Sequence, residues 1–191
     1  LITSARHSVD LTMYELEDTH AEALLAADAG RGVDVRVILN HTYTSSANAG
    51  AYSYLLGHRV HVRWASTVYA LTHQKTLTID SGVSVVMTLN WTSRYYADTR
   101  DIVVLDRTAS DIAAIESAFN ADYDGARRDA GAGADLVWSP TTSESDLLGL
   151  VNGAHRTLLV ENEEMDSADI TSTLLAAARR GGNGVLCMND S

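Results

Sequence analysis

The strongest constraint on the fold is a strand–helix–strand pattern at the start of the chain. Residues 5–14, ARHSVDLTMY, alternate in polarity and predict a strand. Asp18-Thr19 supplies a cap for a helix over HAEALLAADAG, with Leu24 and Leu25 heading its apolar face and Gly30 to Gly32 ending it. VDVRVILN, residues 33–40, is apolar and β-branched, as a strand buried on both faces should be. Two strands joined through a helix at this spacing pair in parallel, so the chain reads as α/β. Much of the pattern returns later. ARHSVDLTMYELED can be laid over AHRTLLVENEEMDS at 154–167, and LLAADAGRGVDVRVILN over LLAAARRGGNGVLCMN at 174–189. Ala5 to Ala154 and Arg31 to Arg180 share one offset, with a single-residue gap between them. DGARRDAGAGAD, residues 124–135, is the linker. The expected organisation is a first unit over 1–130 and the start of a second, incomplete repeat over 136–191.

Between the first pattern and the linker lies the stretch that carries chemistry. After a helix expected over 47–57 and a short strand from His58 to Trp64, LTHQKTLTID alternates as a strand would, which puts His73 and Lys75 on one face. Asp80-Ser81-Gly82 is a turn signal, VSVVMTL a buried strand, and Asn90 stands at its end. DIVVLD is a further strand, and residues 109–123 a helix with Ile112, Ile115 and Phe119 on one stripe. An imidazole, an ammonium and a carboxamide on neighbouring strand ends form a phosphate-handling set. The imidazole can attack phosphorus while Lys75 and Asn90 hold the non-bridging oxygens. Asp80 lies in the turn, so a turn-stabilising or inter-repeat hydrogen bond is expected of it rather than catalysis. Thr88, two residues before Asn90, shares its face and is a supporting candidate. Trp91, Tyr95 and Tyr96 follow Asn90 directly and are candidates for the substrate mouth.

Composition narrows the partners. Acidic residues number 25 against 14 basic, a net charge of −11, which opposes a broadly basic nucleic-acid surface. Hydrophobic residues make up 46% of the chain, enough for a packed core. The single Cys187 cannot form an intrachain disulfide. No apolar run is long enough to span a bilayer, although peripheral membrane contact is compatible with the sequence. The chain starts at Leu1 without a signal-peptide pattern and reads as a processed or truncated product, or as a fragment. His41, His58 and His61 lack an arranged carboxylate or thiol, and His58-x-x-His61 on a strand faces two ways, so no metal site is expected. Glu161, Glu163 and Glu164 read as a solvated strand end, and no serine-hydrolase, Walker or dinucleotide string is present.

HQKTLTID, followed by Met87-Thr88-Leu89-Asn90, resembles the phospholipase D superfamily, whose signature is HxKxxxxD followed by a G-S/T-x-N strand end. That family places an acidic residue about ten positions after the asparagine, ahead of an apolar strand; Asp101 of DTRDIVVLD matches it. Family members more often carry glutamate there, and glycine where Met87 stands. The resemblance implies a mixed β-sheet flanked by helices and a cofactor-free, metal-independent reaction through a covalent phosphohistidine at His73. It also implies that Asp101 accepts the proton on the other ring nitrogen of His73. The leaving-group proton would come from a second HxK motif, on a second repeat or a second chain. The implied activity is phosphodiester hydrolysis or phosphatidyl transfer on a phospholipid or related ester. A phospholipase D-like nuclease and a non-catalytic half-site module for phosphate binding or pairing are the alternatives. This chain ends before a second HxK, so it is expected to be inactive alone. His155, at the start of the second repeat's first strand, is expected to sit on the wrong part of the sheet to serve as that acid. The resemblance favours a secreted or extracytoplasmic place without fixing one.

Overall fold

The computed structural model describes residues 1–127, 133–180 and 183–188. Two compact units divide the chain, Leu1–Leu136 and Val137–Ser191. Part of the linker read from the sequence, residues 128–132, lies outside the described residues.

In the first unit β1 (Ser8–Met13), α1 (Thr19–Gly30) and β2 (Asp34–Leu39) form the parallel unit that the periodicity predicts. The Asp18 side chain accepts from the backbone N–H groups of His20 and Ala21, which starts α1. Gly32, at φ 92°, turns the chain out of it. α2 (Ser45–Gly57) leads to β3 (His61–Trp64), parallel to β2. The hairpin β4 (Thr76–Ile79) and β5 (Val83–Met87) then adds to the other side of β1, and β6 (Val103–Asp106) pairs with β5. The result is a six-stranded mixed sheet in the order β3-β2-β1-β4-β5-β6.

The two faces of this sheet differ. Val9, Leu11 and Met13 of β1, Val35, Val37 and Leu39 of β2, and Leu77 and Ile79 of β4 form one apolar core with Leu25 of α1 and Leu55 of α2. The alternate positions are buried but polar: Asp10, Thr12, Thr76, Thr78 and Ser84. They are satisfied partly among themselves, as in the 2.8 Å bond between the hydroxyls of Thr78 and Ser84. Arg36 bonds Asp10 at 2.6 and 2.8 Å, and its guanidinium lies 4.9 Å from the ring centroid of Phe119. Phe119 belongs to α3 (Ala109–Tyr123), whose stripe of Ile112, Ile115 and Phe119 is buried as its spacing predicts.

The second unit contains α4 (Ser143–Gly153), β7 (Thr157–Asn162), α5 (Ala168–Arg179) and β8 (Asn183–Met188). β7 and β8 pair in parallel.

The strand expected from residue 71 begins only at Thr76. Lys75 still accepts a sheet-like bond from the N–H of Met87 at 3.0 Å. Before it, the Thr72 N–H goes to the side chain of Asn40 at 2.9 Å, and no strand pairing covers residues 71–75. A side chain from another loop has replaced the neighbouring strand as acceptor.

Candidate active site

The antiparallel hairpin sets which residues meet. β1, β2, β3 and β5 finish at the sheet end where β4 and β6 begin. Residues just before β4, just after β5 and just before β6 are therefore brought to that end. They include His73 and Lys75, Asn90, and Asp101.

His73 is exposed and Lys75 is buried. The Lys75 ammonium lies 3.2 Å from His73 Nε2 and donates to the His73 carbonyl at 3.0 Å. Shared strand geometry does not bring them together, since neither residue lies in β4; the lysine folds back onto the residue two before it. The Tyr14 ring, just past β1, meets the imidazole edge-on with centroids 4.4 Å apart. Its centroid also lies 5.3 Å from Lys75 Nζ, so ring and ammonium attract. An ammonium has only protons to offer, so Nε2 accepts and the ring proton of neutral His73 sits on Nδ1.

At the same end of the sheet, Thr88 donates its hydroxyl to Asp101 Oδ1 at 2.7 Å and accepts from the Ile102 N–H at 2.9 Å. Thr99 donates to Asp101 Oδ2 at 2.9 Å. Two threonine hydroxyls thus grip the carboxylate. Thr99 was invisible as a partner in the sequence because it lies in an irregular loop. Asn90 is half-buried, and its side-chain oxygen has no hydrogen-bond partner among the described residues. An amide oxygen left so at a strand end is an acceptor that a donor group can satisfy.

Asp80 sits elsewhere. Asp80 and Ser81 both adopt positive φ, 51° and 49°, in a turn closed by the Gly82 N–H to the Ile79 carbonyl at 2.9 Å. Its carboxylate accepts from the backbone of Arg6, His7 and Ser8 at 2.9, 2.7 and 2.9 Å. Burial pushes the carboxyl up, but those three backbone bonds outweigh it and hold the group below its ordinary value. The Asp80 side chain therefore ties the hairpin turn to the entry of β1.

Of the three aromatic mouth candidates, Trp91 departs from expectation. It is buried in the core; its N–H donates to Glu15, and its carbonyl accepts from Glu17 and Asp18. Those backbone bonds draw the residue inward although it follows Asn90 directly. Tyr95 and Tyr96 are exposed. The Tyr96 hydroxyl donates to Asp18 at 2.9 Å, and burial together with that carboxylate pushes the phenol upward. Arg94 bridges Glu15 and Glu17 and lies 4.7 Å from the Tyr95 ring centroid. The loop after Asn90 is thus pinned to the loop after β1.

His41, His58 and His61 have other partners. His41 meets Trp64 edge-on at 5.2 Å, His58 bonds the Tyr54 carbonyl at 2.7 Å, and His61 faces Asp34 at 3.5 Å. Among the described residues no three His, Cys, Asp or Glu side chains are grouped as metal ligands would be. No described helix is long and apolar enough to cross a membrane.

Residues 1–123 match the family model described as "Cardiolipin synthase, PLD-like domain". The chain belongs to that family, within the phospholipase D superfamily. No curated protein sequence matches it significantly. Among solved structures it is similar to Nuc from Salmonella typhimurium, described as a phospholipase D family member. The two are 19% identical with a TM-score of 0.60, over 68% of this chain and 86% of Nuc. It is also similar to phosphatidylserine synthase from Haemophilus influenzae Rd KW20, at 10% identity and TM-score 0.74, over 99% of this chain and 58% of that one. Polyphosphate kinase from Porphyromonas gingivalis aligns at 14% identity and TM-score 0.74, over 100% of this chain and 35% of that one. At these identities the likeness is one of fold.

Proposed function

We propose that this chain carries the nucleophilic half of a phospholipase D-type phosphodiesterase or phosphatidyltransferase. The observation that carries the reading is Lys75 Nζ at 3.2 Å from His73 Nε2 on an exposed imidazole. The lone pair on Nε2 attacks phosphorus and forms a P–N bond. Lys75 neutralises the non-bridging oxygens as charge builds there, and the side-chain N–H groups of Asn90 donate to them. The P–O bond to the alcohol breaks, and the leaving oxygen takes a proton from the histidine of a second HxK motif. That second histidine then deprotonates water or an acceptor alcohol, which attacks phosphorus and releases His73. Asp101 accepts from the Nδ1 proton of His73 and so keeps Nε2 free, with Thr88 and Thr99 steadying the carboxylate. Tyr95 and Tyr96 border the substrate entrance.

The substrate is a single phosphodiester of phospholipid type. Glu15, Glu17 and Asp18 lie beside the loop that carries Tyr95 and Tyr96, and the chain is acidic overall, both unfavourable to a long polyanion. The test uses an activated aryl phosphodiester, whose phenolate leaves without needing a proton. The 191-residue chain should release phenolate in a burst no larger than one equivalent and carry an acid-labile, base-stable phosphoryl group. His73→Ala should lower the burst rate by at least ~10³-fold, and a chelator should leave it unchanged. A burst that survives His73→Ala, or one that a chelator abolishes and a divalent metal restores, would refute the reading.

A further inference from the structure

We infer that Asn40 is a positioning residue for His73, acting through a buried carboxamide clamp. Asn40 directly follows β2 and is 1% exposed; Asn48, on α2, is 0% exposed. Buried amides are retained only when their bonds are made, and these two make bonds that converge on the site. Asn40 Oδ1 accepts from the Thr72 N–H at 2.9 Å, one residue ahead of His73. Asn40 Nδ2 donates to Thr44 Oγ1 at 2.9 Å and to the Thr42 carbonyl. Asn48 Nδ2 donates to the carbonyls of Asn40 at 2.8 Å and Tyr14 at 2.9 Å, while its Oδ1 accepts from the Leu16 N–H at 2.8 Å. The Thr44 hydroxyl lies 3.1 Å from the Tyr14 carbonyl and 3.2 Å from that of Asn40.

The consequence follows from what is gripped. Tyr14 supplies the ring that meets the His73 imidazole edge-on, and Thr72 is the backbone lead into His73. One network therefore holds both the residue His73 hangs from and the surface it rests on. It does so where no strand pairing fixes residues 71–75. Apart from the Lys75 ammonium on the His73 carbonyl, which comes from within the segment, the clamp supplies the described backbone bond that ties it to the rest of the sheet ahead of the Lys75 carbonyl. Without the clamp the imidazole would sample orientations in which Nε2 leaves the Lys75 ammonium. His41, although it follows Asn40, turns its ring to Trp64 on β3, the side away from β1. The clamp therefore acts through Thr72 and Tyr14.

The effect on turnover rests on the reading of His73 as nucleophile; the effect on the ring does not. The experiment compares the wild-type 191-residue chain with Asn40→Leu, Thr44→Val and Thr44→Ser. Two readouts are taken: the burst with an activated aryl phosphodiester, and the ¹⁵N spectrum of the His73 ring. Asn40→Leu should slow the burst by ~10²-fold, the loss expected of a misplaced reacting group, with the substrate concentration for half-saturation unchanged. Thr44→Val should slow it several-fold, and Thr44→Ser, which keeps the hydroxyl, should restore it. The ring should pass from one Nδ1–H tautomer to a mixture in Asn40→Leu and Thr44→Val. Hydrogen exchange of the β1 and β2 amides identifies a misfolded Asn40→Leu, in which case the Thr44 pair decides. A wild-type ring spectrum in Thr44→Val and in folded Asn40→Leu, with the Thr72 amide deprotected, overturns the inference. A wild-type chain without a burst defeats the functional reading instead, and the ring spectra alone then decide for or against the clamp.

Discussion

The chain contains two strand–helix–strand stretches, and they differ less in themselves than in what surrounds them. β1-α1-β2 and β7-α5-β8 have the same element lengths, six, twelve and six residues. Ser8 faces Asp34 in the first and Thr157 faces Asn183 in the second, the same step along the chain. Even the closing arginines act alike. Arg31 donates to the carbonyls of Ala5 and Thr3, and Arg180 to those of Val151 and Asn152, in each case to the segment ahead of the first strand. Yet every residue of β1 after Ser8 is buried, whereas Leu159 in β7 is 72% exposed. β1 is flanked by β2 and β4 and covered on both faces, while the described partner of β7 is β8 alone. Local sequence builds the unit; burial comes from the elements added around it. The hairpin that buries β1 also brings His73 and Lys75 to the sheet end, so covering and chemistry arrive together.

The largest test of this contrast exchanges one pair of residues. Opposite each other in the first unit stand Asp10 and Arg36; the same register position in the second holds Leu159 and Val185. Burial pushes the Asp10 carboxyl above its ordinary value, and its bonds to Arg36 only partly offset this. Arg36→Ala strands that carboxylate and should destabilise the first unit by about 3 kcal/mol, the low end for a broken buried pair because Arg36 is 27% exposed. Asp10→Leu with Arg36→Val installs the second unit's pair and should fall within about 1 kcal/mol of wild type. A raised folded pKa means the native state binds that proton more tightly than the unfolded state. The Asp10 contribution is therefore present below about pH 4 and lost as pH rises through the raised value. The double variant should gain on wild type over that rise and then hold level. Urea unfolding at several pH values reads both effects, and a double variant as unstable as Arg36→Ala would show that α3 demands charge beneath it.

How far these features could be read in the sequence depends on the range of the interaction that makes them. α1, α3 and β2 are set by caps and periodicity within a few residues, and their extents were legible. So was the pairing of His73 with Lys75, although the strand assumed to align them starts later. Residues 71–75 were misread because the acceptor for the Thr72 N–H is a side chain 32 residues away. Asn40 read as an ordinary strand end for the same reason. Trp91 looked like a mouth residue by its place after Asn90; backbone bonds to residues 15–18 put it in the core. No local pattern announces such partners.

A smaller effect separates the two units by burial alone. Leu11 is fully buried in β1, so Leu11→Ala should cost about 3 kcal/mol, lost transfer energy plus a cavity beneath α1 and α2. Leu159→Ala should change stability by less than about 0.5 kcal/mol, since most of that side chain already meets water. Separate denaturation midpoints for the two units check this. A Leu159→Ala loss near that of Leu11→Ala would mean that β7 is covered in solution.

The smallest effect lies in the helix caps. Asp18 caps α1 by accepting from two backbone N–H groups, and Ser167 caps α5 by accepting from one. Asp18 also carries a charge favourable at a helix N-terminus and accepts from the Tyr96 hydroxyl at 2.9 Å. Ser167→Ala should therefore cost about 0.5 kcal/mol and Asp18→Ala about 1 kcal/mol. The surplus has two sources, the cap itself and the tie to the loop after Asn90. Tyr96→Phe removes the tie and leaves the cap. If Asp18→Ala costs as much in the Tyr96→Phe background as in wild type, the surplus belongs to α1. If its cost falls to that of Ser167→Ala, the surplus belongs to the loop, and the two strand–helix–strand units are equivalent down to their caps. Hydrogen exchange of the first-turn amides of α1 and α5 resolves the two cases, because cap loss frays only the helix it starts.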